Sequence, residues 1–181
     1  MRTETQKKNS QSGISLVEVL LASSVLTICS IGIIGLIGSS IATNTRNKFD
    51  STTTMLAQSI VEQIAATAVG SGTASLTDCA GTAWTIDTQQ GGADLTAAGT
   101  VDFSQTSPPA NYFMNYVVKS PCEVTGIEQA VYDLRWNVQL VGAPTNPTNT
   151  YLLTVSAQML NRGQGNKYFA APVTIRVMLG N

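Results

Sequence analysis

The chain contains no histidine. That removes the commonest metal ligand and the side chain best suited to act as a general base near neutral pH. Charged residues make up only 12% of the 181 positions, and aromatic residues 6%. Ten basic and eleven acidic side chains leave a formal net charge of −1. A surface of that kind lacks the clustered basic face that nucleic acid requires, so no nucleic-acid partner is expected. No nucleophile–base pair, metal-ligand spacing or phosphate-binding loop is present either. The nearest glycine-rich candidate, Gly163-Gln164-Gly165, falls between two expected strands and not between a strand and a helix, so it fails the contextual test for a phosphate loop. Asp78, Asp87, Asp94 and Asp102 are scattered, without the dense oxygen cluster that calcium needs, and read as solvated loop residues. These absences point away from an enzyme, and no metal or cofactor is expected.

What the chain does have is an uneven distribution of apolar residues. Ile14 to Gly38 is a run of 25 residues with one charge, Glu18. As a helix it would span roughly 37 Å at about 1.5 Å per residue. That exceeds the roughly 30 Å hydrocarbon core of a bilayer. The preceding 13 residues carry Arg2, Lys7 and Lys8 against Glu4, which orients the N-terminus towards the cytoplasm and the remainder outside. Cys29 lies in the apolar run. Cys79 and Cys122 lie in the part expected to be exported, where oxidising conditions favour pairing, although two free buried thiols fit the sequence as well. If paired, they close a loop of about 44 residues, worth roughly 3–4 kcal/mol in the chain-entropy model.

The apolar run is longer than the 7–15 residues of a secretory signal peptide, and it carries Glu18 near its start. Its best cleavage candidate is the weak Gly38-Ser39-Ser40. Leu26, Thr27 and Ile28 before Cys29 argue against a lipoprotein signal. A plain signal anchor leaves Glu18 unexplained, and an ionisable residue within such a segment is a functional-site hypothesis by default.

A short basic leader closing in Gly13, followed by Ile14-Ser15-Leu16-Val17-Glu18-Val19-Leu20, resembles the type IV prepilin signature. The resemblance implies cleavage between Gly13 and Ile14 by a prepilin peptidase, methylation of the new amino terminus at Ile14, and a role for Glu18 in filament assembly. Ile14 departs from the phenylalanine commonest at that position. Physically, a carboxylate four residues from a charged terminus is costly in lipid unless paired. Pairing with the terminus of a neighbouring subunit would offset that cost and set the axial register.

Ile41, Phe49, Leu56, Ile60 and Ile64 continue the apolar pattern at helical spacing. One helix is therefore expected from about Ile14 to Val69, stopped by Gly70-Ser71-Gly72. Gly32, Gly35 and Gly38 mark either a weak, locally unwound section or a smooth face for close packing. The Thr/Asn-rich stretch from Thr43 to Thr54 has low helix propensity, and an irregular join is expected there.

Residues 71–130 read as long loops with short strands near Ala83–Asp87 and Tyr112–Lys119. In residues 131–141, Tyr132, Leu134, Trp136, Val138 and Leu140 alternate with polar neighbours, as in a half-buried strand. On its polar face Asp133 and Arg135 read as a surface ion pair. Gly142–Asn149 reads as a turn-rich loop, Tyr151–Leu160 as a second strand, Asn161–Asn166 as a tight connection and Lys167–Leu179 as a third strand. Pro172 favours an edge position or a bulge in that last strand.

The expected architecture is α+β. It comprises a leader at 1–13, a transmembrane or filament-core helix at 14–38, an amphipathic continuation at 39–70, and a headgroup at 71–181 with a three-stranded antiparallel meander at 131–179. This plan resembles the pilin lollipop, a long helix packed on a C-terminal sheet. Tyr132-Asp133-Leu134-Arg135-Trp136 and the strand Tyr168–Val173 are similar to minor pilins more than to major subunits, as is the mid-chain position of Cys79 and Cys122. The resemblance implies a minor pilin that enters or primes a type IV pilus, or else a type II secretion pseudopilin. An anchored adhesin or DNA-binding module at a pilus tip is the alternative from another class. The partners implied are the prepilin peptidase, other pilin subunits meeting through the N-terminal helix, and the assembly platform. The chain would reside in the inner membrane before assembly and in the pilus or pseudopilus afterwards.

Overall fold

The computed structural model describes residues 14–70, 72–143, 146–162 and 171–180. The leader, with Gly13, lies outside them, as does most of the stretch read as the Asn161–Asn166 connection and the start of the last strand. One helix, α1, covers Leu16–Ala66. The chain divides into two compact units between Asn44 and Thr45.

In the first unit, every residue from Ile14 to Ile41 is exposed. No unwinding interrupts α1 at Gly32, Gly35 or Gly38, and a methyl group added at any of the three would meet nothing within 4 Å. The hydroxyls in this apolar stretch are satisfied locally. Ser23 donates to the Leu20 carbonyl, as does Ser24, Thr27 donates to Ser23 and Ser30 to Leu26, at 2.8–2.9 Å. A hydroxyl tied to its own helix turn carries little unsatisfied polarity into an apolar surrounding.

The second unit begins on the helix. The irregular join expected over Thr43–Thr54 does not occur. Thr52, Thr53 and Thr54 each donate to the carbonyl four residues back, so the side chains that weaken helix propensity engage the turn without breaking it. Leu56, Ala57, Ile60 and Ile64 are buried, and Phe49 packs at the margin. Ile41, expected on the same buried stripe, is exposed and belongs to the first unit. The helix ends at Ala66, three residues before the expected limit, and the chain turns at Ala68 with φ 62°.

A hairpin of β1 (Thr73–Thr77) and β2 (Ala83–Asp87) follows. The main sheet is antiparallel. It contains β3 (Gly91–Gly92), β4 (Phe113–Ser120), β5 (Ile127–Ala143), β6 (Asn146–Arg162) and β7 (Val173–Gly180). β6 pairs with one edge of β5 along its length, while β4 and then β3 pair with the other. β7 takes the far edge beside β6 and starts directly after Pro172, which suits a residue that cannot donate to a ladder. The expected turn-rich loop at Gly142–Asn149 is mostly strand instead. A register shift at Val141/Gly142, with Gly142 at φ 127°, places Pro147 opposite Gly142 and lets the ladder continue.

The expected alternation in β5 holds: Tyr132, Leu134, Trp136 and Val138 are buried on one face. They meet Leu153, Val155 and Ala157 of β6 and the buried side of α1 in one core. Trp136 is fully buried, and its indole N–H donates to the Asp87 carbonyl at 2.9 Å. Trp136→Ala removes both the packing and that bond. A loss of about 3–5 kcal/mol is expected, measurable as a lower unfolding midpoint of the headgroup.

Candidate functional site

The candidate site in the first unit is the start of α1. The carbonyl of Ser15 accepts from the amides of Glu18 and Val19 at 3.0 and 3.2 Å, so Ser15 caps the helix and Glu18 sits in its first turn. A carboxylate there is favoured by the partial positive charge of the helix N-terminus. The Ser-x-x-Glu spacing is the sequence signal for this arrangement, and the reading from sequence passed over it. Among the described residues, no hydrogen bond or ion pair engages the Glu18 carboxylate. Shallow apolar grooves run beside it, lined by Ile14, Val19, Leu21, Ala22, Val25 and Leu26.

Ile14, the expected cleavage and methylation position, is 75% exposed. Together with Leu16, Val17, Leu20, Leu21 and the aliphatic residues that follow, it presents an apolar surface far larger than a soluble monomer carries. The helix is long and apolar enough to cross a membrane. Chemically this stretch offers a burial surface with one carboxylate near its end. The thiol of Cys29 in the same stretch is free and exposed.

In the second unit, Cys79 and Cys122 form a disulfide across a separation of 43 residues. It joins the turn between β1 and β2 to the tip of the β4–β5 hairpin. The same turn is organised by Asp78, which is 5% exposed and not the solvated loop acid expected from the sequence. Its Oδ1 accepts from the amides of Ala80 and Thr82, and its Oδ2 from the Trp84 indole. The cause is local: a carboxylate that folds back on its own turn replaces water with backbone donors. Burial pushes the neighbouring Tyr116 phenol above its ordinary pKa, and the Asp78 charge adds to the rise.

The Asp133–Arg135 pair also departs from expectation. It is buried, not at the surface, because residues 93–105 fold over the outer face of β5. Asp102, in that loop, accepts from the Ser104 hydroxyl and amide. Those bonds hold its carboxyl below the ordinary value, with the Arg135 charge acting in the same sense. Among the described residues, no group of three or more His, Cys, Asp or Glu side chains is placed to hold a metal.

The structure therefore brings Cys79 and Cys122 together, puts Ile14 and Glu18 within one turn of each other, and leaves Gly13 outside the described residues. No family model matches the chain, and no curated protein or solved structure matches it either.

Proposed function

We propose that this chain is a minor pilin, cut by a prepilin peptidase between Gly13 and Ile14, methylated at Ile14, and built into or priming a type IV pilus. The observation that carries the reading is the junction of a basic leader ending in Gly13 with an apolar helix whose only early charge is Glu18. The exposure of every side chain from Ile14 to Ile41 supports it, since such a surface demands lipid first and neighbouring helices afterwards. An antiparallel headgroup stapled by a disulfide suits an exported position.

In this reading the cleaved chain waits in the inner membrane with its headgroup outside. It then leaves through the assembly platform by exchanging lipid for other pilin helices. The Glu18 carboxylate pairs with the amino terminus of an adjacent subunit, and only one axial stagger brings the two charges together. The headgroup supplies the lateral contacts and the surface shown to solvent. No catalytic step is assigned to it.

Gene deletion with complementation tests the role. Loss or thinning of surface pili, restored by the wild-type gene, is the expected result. Intact pili with failed export of secreted enzymes would assign the chain to a type II secretion pseudopilus. Intact pili that no longer adhere or take up DNA would assign it to a tip-binding role.

A further inference from the structure

The buried ion pair on the outer face of the sheet does more than fill space. Arg135 Nε lies 3.0 Å from both oxygens of Asp133, and its Nη2 lies 2.7 Å from Oδ2. The remaining arm, Nη1, donates to the carbonyls of Asp102 and Gln105 at 3.3 and 2.8 Å. The Phe103 ring lies against the guanidinium, 5.2 Å from centroid to carbon. One side chain thus grips the loop at Asp102, Phe103 and Gln105 while a carboxylate on its own strand fixes it from behind. A planar fork with five donors can do this; an ammonium cannot.

The loop is also folded within itself. Asp102 N–H donates to the Asp94 carbonyl, Thr96 N–H to Thr100, and the Gln105 side chain accepts from Asp94 N–H. Its layer on the sheet is different in kind from the core on the other face. Beneath it lie Arg135, with its partner Asp133, and Asn137; Thr154 and Ser156 are buried beside them in the β5–β6 register, and the loop's own Ala93 and Val101 are buried as well. Asn137 and Thr154 sit opposite each other in the β5–β6 register. The Oδ1 of Asn137 and the hydroxyl of Thr154 are buried without a hydrogen-bond partner among the described residues. Burying such groups costs free energy, and opening the layer would rehydrate them.

We propose that residues 93–105 form a latched cover over the polar outer face of β5 and β6, with Arg135 as the latch and Asp133 as its seat, and that the cover opens while the sheet and the core behind it stay folded. The energetic reason is specific. Removing one partner of a buried ion pair is severe when the other charge stays buried. Here the cover can lift, so Asp133 would gain water and not remain stranded. The cost is then capped at the cost of lifting the loop. The device controls access to a band of hydrogen-bonding groups that the closed headgroup hides.

Amide hydrogen exchange on the full chain in detergent micelles tests this. In the unmodified protein, the amides of Ala93, Thr96, Gly99 and Asp102 are expected to exchange at least about tenfold faster than those of 132–138 and 153–157, through an opening that depends weakly on urea. Exchange of both sets at one rate, through one strongly urea-dependent opening, would overturn the proposal without any variant. Arg135→Gln is expected to accelerate the loop by about tenfold more and to leave the strands within about twofold. Equal acceleration of loop and strands would show that the pair belongs to the core. Arg135→Lys, which keeps the charge and loses the fork, should fall between the two; a Lys variant indistinguishable from the wild type would contradict the role given to the fork.

Discussion

Glu18→Ala is expected to insert into the membrane as well as the wild type and to enter filaments about tenfold less, or not at all. Removing a charge from an apolar helix makes insertion easier, not harder. Helix formation also survives, since the exchange costs the small favourable term of a carboxylate in the first turn, about 0.3–1 kcal/mol. On the proposed reading, what disappears is the partner for a neighbouring amino terminus. An apolar helix slides against its neighbours with little preference for one stagger, because lipid tails and leucine side chains are equally apolar. A single charge pair selects one stagger. A loss of about 1.4 kcal/mol at that step is already tenfold in occupancy. Membrane fractionation and quantitative blotting of sheared filaments measure the two quantities separately. Glu18→Gln distinguishes charge from size: it keeps the shape of the side chain, and on this account it should fail as the Ala variant does. Normal filament entry by either variant would remove the register role.

Joint replacement of Cys79 and Cys122 by Ser is expected to cost the headgroup about 3–4 kcal/mol, through the freedom that the unfolded chain regains when a 43-residue separation is no longer closed. For a unit of this size, that corresponds to a fall of roughly 10–15 °C in unfolding midpoint. The damage should be local before it is global. The bond joins the turn at Asp78–Thr82 to the tip of the β4–β5 hairpin, and the backbone bond from Cys79 N–H to the Val117 carbonyl lies beside it. Most of the β5–β6 ladder, Leu134–Val141 paired with Thr150–Ala157, lies farther along the sheet. Protease sensitivity should therefore appear first near residues 79–82 and 121–126. Thermal unfolding followed by circular dichroism, with limited proteolysis and mass analysis, reads both effects. An unchanged midpoint would mean that the hairpin tip is held without the bond.

The parts of the fold visible in the sequence are those where one side of an element is apolar and the other is not. β5 was legible because Tyr132, Leu134, Trp136 and Val138 alternate with polar residues, and α1 because Leu56, Ile60 and Ile64 recur at helical spacing. β1 was missed: Thr73–Thr77 is short, and only Ala74 and Leu76 are half-buried. The strand character of residues 146–149 was hidden by Pro147 and Gly142, which read as a turn until a bulge accommodates them. The errors with Asp78 and Asp133–Arg135 have different causes. Asp78 folds back on donors of its own turn, whereas the ion pair is buried by what folds over it, and the covering loop at 93–105 has no periodicity to announce itself. Ile41 was misplaced for the converse reason, since spacing alone cannot say where a helix stops meeting a sheet. At the start of α1 the proposed chemistry rests on the sequence alone, because leader, glycine and carboxylate are adjacent in the chain.

The central claim is the processing of the N-terminus, and it is tested most directly by intact mass and N-terminal sequencing of the protein extracted from membranes. The account predicts a chain beginning at Ile14 and carrying one added methyl group. A chain beginning at Met1, or near Ser39, would contradict it and leave a plain anchor or an ordinary secreted protein in its place.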